Sequence, residues 1–154
     1  MRTGIGIDSH RFAAGRRLIL GGVEIPSEEG LAGHSDADVL THAIVDAVLG
    51  AAGLGDIGQH FPDTDERWRD ADSMQLLRAV LELVAARGLA VAHVDATVML
   101  ERPRLAPHRD AIRDSLAAQL VSVNLKFTTG EGMGFVGRQE GAAALAVATL
   151  VPAA

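Results

Sequence analysis

Apolar residues recur along this 154-residue chain at two different spacings, and the segments that carry the two spacings alternate. A period of two marks a strand with one buried face, and a period near 3.6 marks an amphipathic helix. Residues 91–100 (VAHVDATVML) alternate, with Ala92, Val94, Ala96, Val98 and Leu100 on one side. Residues 121–128 do the same, with Val121, Val123, Leu125 and Phe127 set against Ser122, Asn124, Lys126 and Thr128. Residues 2–8 read as a short strand with Ile5 and Ile7 on one face, and 17–25 as strand, Gly-Gly turn and strand. Helical spacing runs to about Leu49 from a start near Ser35 or Asp36, where Ser35 and Asp38 have capping-box spacing. A second helix spans 73–87, with Leu76, Leu77, Val80, Leu81 and Val84 on one face and Gly88 as its stop. A third begins near Pro107, with Ile112, Leu116 and Leu120 four apart. The tail AAALAVATLV is ambiguous, since Ala favours helix while Val and Thr favour strand. This order predicts an α/β or α+β sandwich, a mixed sheet with helices packed on one face, in one domain over 1–154.

Composition narrows the chemistry. Hydrophobic residues make up 48% of the chain but aromatics only 3%, so the core is built from Ala, Val, Leu and Ile, and little ring surface remains to stack on bases. There is no cysteine, which removes disulfides, thiolate nucleophiles and cysteine zinc sites together. The formal net charge of −6 argues against a nucleic-acid partner. An acidic chain that binds a phosphorylated substrate needs cations or backbone N–H groups to supply positive charge. The N-terminal MRTGIGIDSHRF has no basic-then-apolar signal pattern, and no apolar run is long enough for a bilayer, so a cytoplasmic protein without a membrane partner is expected.

Asp8 and His10 sit at i and i+2 of an extended segment and project to the same side. With His42 from the first helix they make three ligands of the kind that hold a catalytic zinc, leaving a fourth position open. The plainer alternative is a turn-capping Asp8 with ordinary histidines. Asp38, His42 and Asp46 follow at i+4 steps, so a carboxylate one turn away is expected to take the second N–H of His42; Asp36 and Asp38 also suit a helix N-terminus. The loop 53–71 is long and rich in Gly and Asp, which fits a lid or a hydroxyl-binding segment carrying Asp56, Asp63 and Asp65. Thr128-Thr129-Gly130-Glu131 opens a Gly-rich turn whose hydroxyls and free N–H groups suit phosphate, with Glu131 placed for Mg²⁺. GMGFVG formally matches a dinucleotide fingerprint, but only 17 residues follow Gly137, too few for the required βαβ unit. His60, His93 and His108 lack partners at ligand spacing, and Arg11, Arg16 and Arg17 could steer an anion but read more readily as a solvated face.

The blocks GIGIDSHRF, GGVEIP, LAGHSDADVLTHAIVDAVLGAAGLGDIGQHFPDTD, ERPRLAPH, VNLKFTTGEGMGF and GRQEG cover nearly the whole chain. In them it resembles the 2-C-methyl-D-erythritol 2,4-cyclodiphosphate synthase family of the non-mevalonate isoprenoid pathway. The resemblance implies a phosphorus–oxygen lyase. In it the 2-phosphate of 4-diphosphocytidyl-2-C-methyl-D-erythritol 2-phosphate attacks the β-phosphorus, and CMP leaves. It implies Zn²⁺ on Asp8, His10 and His42, and Mg²⁺ or Mn²⁺ on Glu131 with the substrate diphosphate. His34 and Thr129 stand at the family's transition-state stabilisers, and His34, Ser35 and the Asp8-Ser9-His10 segment at its phosphate contacts. Asp56, Ile57, Gly58 and Asp63 would hold the erythritol part, with Phe61, Pro62, Thr64 and Asp65 completing that loop. Leu100, Glu101, Arg102, Pro103, Arg104, Leu105 and Ala106 would frame the cytidine diphosphate with Thr128, Thr129, Gly130 and Glu131. The family fold is α+β and makes the tail a strand. Its members are homotrimers with each site between two subunits. Phe135 and Arg138, with Glu140 as ion-pair partner, would line a central cavity that in some members accepts an isoprenoid diphosphate.

Gly130 replaces a common threonine, so one hydroxyl is missing, though the backbone there is expected still to donate. Arg104 stands for a common lysine, keeping charge but changing geometry. Gly33 and Ala37 occupy positions of other small residues. Two further readings share these residues: a phosphohydrolase whose zinc activates water, and an idle trimer that binds isoprenoid diphosphates.

Overall fold

The computed structural model describes residues 1–154. In chain order the elements are β1 (Arg2–Ala14), β2 (Leu18–Leu20), β3 (Val23–Ile25), β4 (Glu29–Leu31), α1 (Val39–Ala52), α2 (Ile57–His60) and α3 (Ser73–Ala85). There follow β5 (Leu89–Met99), α4 (Arg109–Ala117), β6 (Val123–Thr128), α5 (Gly134–Gly137) and β7 (Gly141–Pro152). Five strands form one sheet in the order β4-β1-β7-β5-β6, and β2 pairs β3 in a separate hairpin. Only β5 and β6 run parallel; the other pairs are antiparallel. This is the mixed α+β sheet that the two spacings predict. The alanine-rich tail is its central strand.

β1 is far longer than the short strand expected at 2–8. It pairs with β7 from Arg2 to Arg11, and its end pairs with β4 from Phe12 to Ala14. Its buried face is also the opposite of the expected one. Ile5 and Ile7 are 60% and 63% exposed, and they share the open face of the sheet with Leu145 and Met99. The covered face carries Gly4, Gly6, Asp8 and His10, opposite Ala148, Ala146, Ala144 and Ala142. Such small residues let α1 settle close. A Cβ on Gly6 would lie 1.9 Å from the Ala43 carbonyl oxygen, and one on Gly4 2.2 Å from that of Ala47. The covered side belongs to one core cluster that also takes Val94, Ala96 and Val98 of β5, Leu77 and Val80 of α3, and Ile112 and Leu116 of α4.

Local boundaries shift for identifiable reasons. α1 starts at Val39 because Asp38, not Ser35, is its cap; the carboxylate accepts from Thr41 N at 3.0 Å. Asp38 is fully buried and accepts four more bonds, from Gly21 N, Gly22 N, Thr41 Oγ1 and Ser73 Oγ. It thereby ties the β2–β3 turn to α1 and to the start of α3. A bulge between Val91 and His93 puts Val91, rather than Ala92, in phase with the buried face of β5. Val121 lies outside β6 and is 89% exposed, and Leu120 stays buried beyond the end of α4. The polar loop 53–71 is partly ordered by α2 and a single 3₁₀ turn at Glu66–Trp68.

Candidate metal centre and substrate cleft

β1 delivers Asp8 and His10 from its helix-covered face, and α1 brings His42 down onto them. Asp8 Oδ2 lies 2.9 Å from His10 Nε2 and 3.2 Å from His42 Nδ1, and the two nitrogens are 3.4 Å apart. The ligand atoms of the three residues all fall within 4.8 Å of one another. The far side of each ring is occupied. His10 Nδ1 is 2.9 Å from the Ala32 carbonyl, which can only accept, so the proton sits there and the Nε2 lone pair faces the cluster. His42 Nε2 is 3.1 Å from Ser35 Oγ and 3.9 Å from Asp36 Oδ1. Two imidazoles and a carboxylate whose ligand atoms converge on one point can hold a metal ion there. Three such donors fit a zinc ion that keeps a fourth position open.

The electrostatics agree. When both imidazoles carry protons instead of sharing a cation, burial alone would raise the Asp8 carboxyl, but hydrogen bonds from His10 and His42 and their positive charge hold it at about 2. Burial likewise works against charge on His42. The bond to Asp8 and the charges of Asp38, Asp8 and Asp36 outweigh it and raise the imidazole above its usual value. The expectation that a carboxylate one helical turn away accepts from His42 is not met. Asp38 is consumed by its five donors, and Asp46 accepts from Ile57 N at 2.8 Å, anchoring the loop instead. The Ser35 hydroxyl takes that place, with the Asp36 carboxylate adding negative charge at 3.9 Å, because α1 begins later than the sequence suggested.

The triad opens into a cavity of about 490 Å³. His34, Ser35, Ile57, Gly58, Phe61, Pro62 and Asp63 line it as expected. Trp68 and Leu76 line it too, and the sequence reading missed them. Trp68 packs edge-on against Phe61 at 4.8 Å. A lone tryptophan among charged loop residues, in a chain with almost no aromatics, was the available signal. The His34 ring is held by the Asp65 carbonyl at 3.3 Å. Asp56 caps α2 through Gln59 N, and the Asp65 carboxylate is taken by Arg67, so neither lines the cavity, nor does Thr64. Ser9, on the open face of β1, faces a different depression together with Arg11, Phe135 and Glu140.

A second cavity, of about 440 Å³, is lined by Leu100, Glu101, Arg102, Arg104, Leu105, Ala106, Thr128 and Thr129. Phe127, not singled out in the sequence, contributes as well, with the Arg109 guanidinium 4.5 Å over its ring. Pro103 turns to another surface, beside Gln139. The turn at 130–132 does not offer free N–H groups. Glu101 accepts from Gly130 N at 2.8 Å and Gly132 N at 3.2 Å, and Thr129 Oγ1 accepts from Glu131 N. A Cβ at Gly130 would meet Gly137 N at 2.5 Å, so the missing threonine hydroxyl reflects how tightly α5 folds back. Glu131 is exposed and stands outside the Asp8, His10 and His42 cluster. Arg138 pairs with Glu140 at 2.8 Å.

The model of the YgbB family matches residues 1–151. The chain belongs to the YgbB family. Among relatives in it, the 2-C-methyl-D-erythritol 2,4-cyclodiphosphate synthase of Salinibacter ruber is 59% identical over 97% of this chain and 98% of its own length. The enzyme of that name from Geobacter sulfurreducens is 57% identical over 96% of each. A solved synthase structure in its CDP-bound form has 44% identity and a TM-score of 0.90, over 97% of this chain and 100% of that one. The YgbB fold also occurs in the bifunctional IspDF of Campylobacter jejuni, with 43% identity and a TM-score of 0.92 over 97% of this chain and 42% of that one.

Proposed function

We propose that this chain converts 4-diphosphocytidyl-2-C-methyl-D-erythritol 2-phosphate to 2-C-methyl-D-erythritol 2,4-cyclodiphosphate and CMP, within non-mevalonate isoprenoid biosynthesis. The observation that carries the reading is the convergence of Asp8, His10 and His42 at the head of a cavity, in a chain 59% identical to a synthase of that name over 98% of that synthase's length. An oxygen of the 2-phosphate bonds to the β-phosphorus as the bond from that phosphorus to CMP breaks. No side-chain nucleophile is needed. The obstacle is repulsion between phosphates, so catalysis is positioning plus electrostatics. Asp8, His10 and His42 would hold Zn²⁺, and Glu131 would hold Mg²⁺ or Mn²⁺ together with the substrate diphosphate; the chemistry such ions would supply is positive charge against the phosphates.

The chain's own groups do the rest. His34 and Thr129 donate to phosphoryl oxygens as charge builds, and Ser35 holds both phosphate and the His42 ring. Ile57, Gly58 and Asp63 hold the erythritol hydroxyls, with Asp56 shaping that loop as the cap of α2, while Phe61 and Trp68 form an apolar wall that limits water. Leu100–Ala106, Phe127 and Thr128 receive the cytidine.

Within one protomer the two cavities share no lining residue. That supports a homotrimer in which the metal end of one subunit faces the cytidine end of the next. The open sheet face with Ile5, Ile7, Met99 and Leu145 supplies the apolar contact such an assembly needs. Phe135, Arg138 and Glu140 would then border a central cavity suited to an isoprenoid diphosphate. No helix is long and apolar enough to cross a membrane, and we place the single 1–154 unit in the cytoplasm. Phosphorus NMR of the protein with substrate, Zn²⁺ and Mg²⁺ tests the reaction: cyclic diphosphate and CMP should rise together, and CMP without the ring product would refute cyclisation.

A further inference from the structure

Arg16 reads in the sequence as part of a solvated face, and the structure contradicts that. Two nitrogens of its guanidinium bond to main chain, and the third lies 3.9 Å from Asp70 Oδ1. Nε donates to the Leu31 carbonyl at 3.0 Å, and a terminal nitrogen donates to the carbonyls of Ser35 at 2.9 Å and Gly33 at 3.4 Å. No backbone N–H reaches the Gly33 or Ser35 carbonyl. The acceptors run from Leu31, the last residue of β4, into the irregular segment that leads to α1. That same segment presents the Ala32 carbonyl to His10 and the Ser35 hydroxyl to His42, and it carries His34 into the cavity. Arg16 itself lies outside that cavity.

We infer that Arg16 is a positioning residue of the metal centre: by bracing the carbonyls of residues 31–35 it fixes the two groups that orient the His10 and His42 rings. The inference rests on the metal-site reading given above. A planar fork can span several carbonyls in one plane, whereas an ammonium is a single point on a flexible stem. Outer groups that orient metal-bound imidazoles are worth about 10- to 100-fold in metal affinity. Arg16 acts one bond further out, which places its effect at about tenfold.

Coulomb's law gives the opposite sign, and this makes the test decisive. Arg16 is a cation near a cation site, so deleting its charge alone would tighten metal binding. Arg17, exposed and only 3.8 Å from Glu24, is the matched control. Zn²⁺ affinity by competition and the visible spectrum of the Co²⁺-loaded protein are to be measured for the parent, Arg16→Ala, Arg16→Lys, Arg17→Ala and His42→Ala. Arg16→Ala should bind Zn²⁺ about tenfold more weakly with an altered Co²⁺ spectrum, Arg16→Lys should fall between it and the parent, and Arg17→Ala should bind as the parent does or more tightly. Parental or tighter affinity in Arg16→Ala with an unchanged spectrum would overturn the inference alone. If Arg16→Ala does not fold, the same result in Arg16→Lys overturns it. A parent that binds no better than His42→Ala would bring down the metal-site reading and this inference with it.

Discussion

Replacing Gly6 by alanine adds one methyl group on the face of β1 that α1 covers. That methyl would sit 1.9 Å from the Ala43 carbonyl oxygen and 2.6 Å from Ala47 N, where ordinary contact begins at 3.4 Å. The neighbours are helix backbone, which cannot swing aside, so α1 must retreat by about 1.5 Å, the difference between 3.4 and 1.9. Overpacking of this kind costs about 1–3 kcal/mol. Loss of glycine freedom in the unfolded chain returns about 0.4–1 kcal/mol. A net loss of about 1 kcal/mol is expected in urea unfolding at fixed protein concentration. The same retreat carries His42, the residue before Ala43, away from Asp8. Metal sites hold ligand distances within about 0.2 Å, so zinc affinity should fall at least tenfold. Gly50→Ala in the same helix is the control. Its Cβ would meet nothing nearer than 3.9 Å, and it should be neutral or stabilising by up to about 1 kcal/mol. A Gly6→Ala protein with the parent's urea midpoint and zinc affinity would refute the claim that close strand–helix approach builds the site.

Three further outcomes are expected. His42→Ala should lose stoichiometric zinc, read by metal analysis after dialysis, while its mass by sedimentation stays that of the parent; full occupancy would rule out the ligand assignment. Asp38→Asn should cost about 3 kcal/mol in chemical unfolding, because an amide cannot accept from all five buried donors; a change below about 0.5 kcal/mol would show that the hub is not needed. The Asp95 carboxyl is held below its usual range by hydrogen bonds from Lys126 and Asn124, so it favours the folded state above the ordinary carboxylate range and loses that contribution as pH falls through its lowered value. Lys126→Met should move its titration upward by carbon-detected NMR, and an unmoved titration would contradict the assigned cause.

The parts that were legible in the sequence are those where residue type and local period agree. Asp8 and His10 could be paired because i and i+2 of a strand face one way whatever else surrounds them, and β5 and β6 could be read because bulky residues alternate with polar ones. β1 misled because its bulky residues, Ile5 and Ile7, are on the open face, while burial falls to Gly4 and Gly6. Apolar bulk reports the need for a partner, and no element of this chain covers that face. The glycines report something else, the distance at which a helix must approach, and that quantity has no period. Arg16, Glu101 and Asp38 were misjudged or passed over for a related reason: each spends its charge on backbone groups far away in sequence, and nothing in the neighbouring residues announces it.

These long-range ties share a direction of effect. Asp38 fixes where α1 begins, the glycines fix how near it lies, and Arg16 fixes the segment that enters it. Each acts on the placement of His42 or of the groups behind the two imidazoles, and none touches the metal position itself. A site whose work is to bring together groups that repel needs ligands that do not yield. Rigidity is supplied by backbone-directed bonds and close packing, since three side chains alone are free to rotate about their own torsions. It follows that changes at Gly6, Asp38 and Arg16 should be less than additive in metal affinity, since all three loosen the same joint. A triple variant whose loss equalled the sum of the single losses would mean that the three act on separate features.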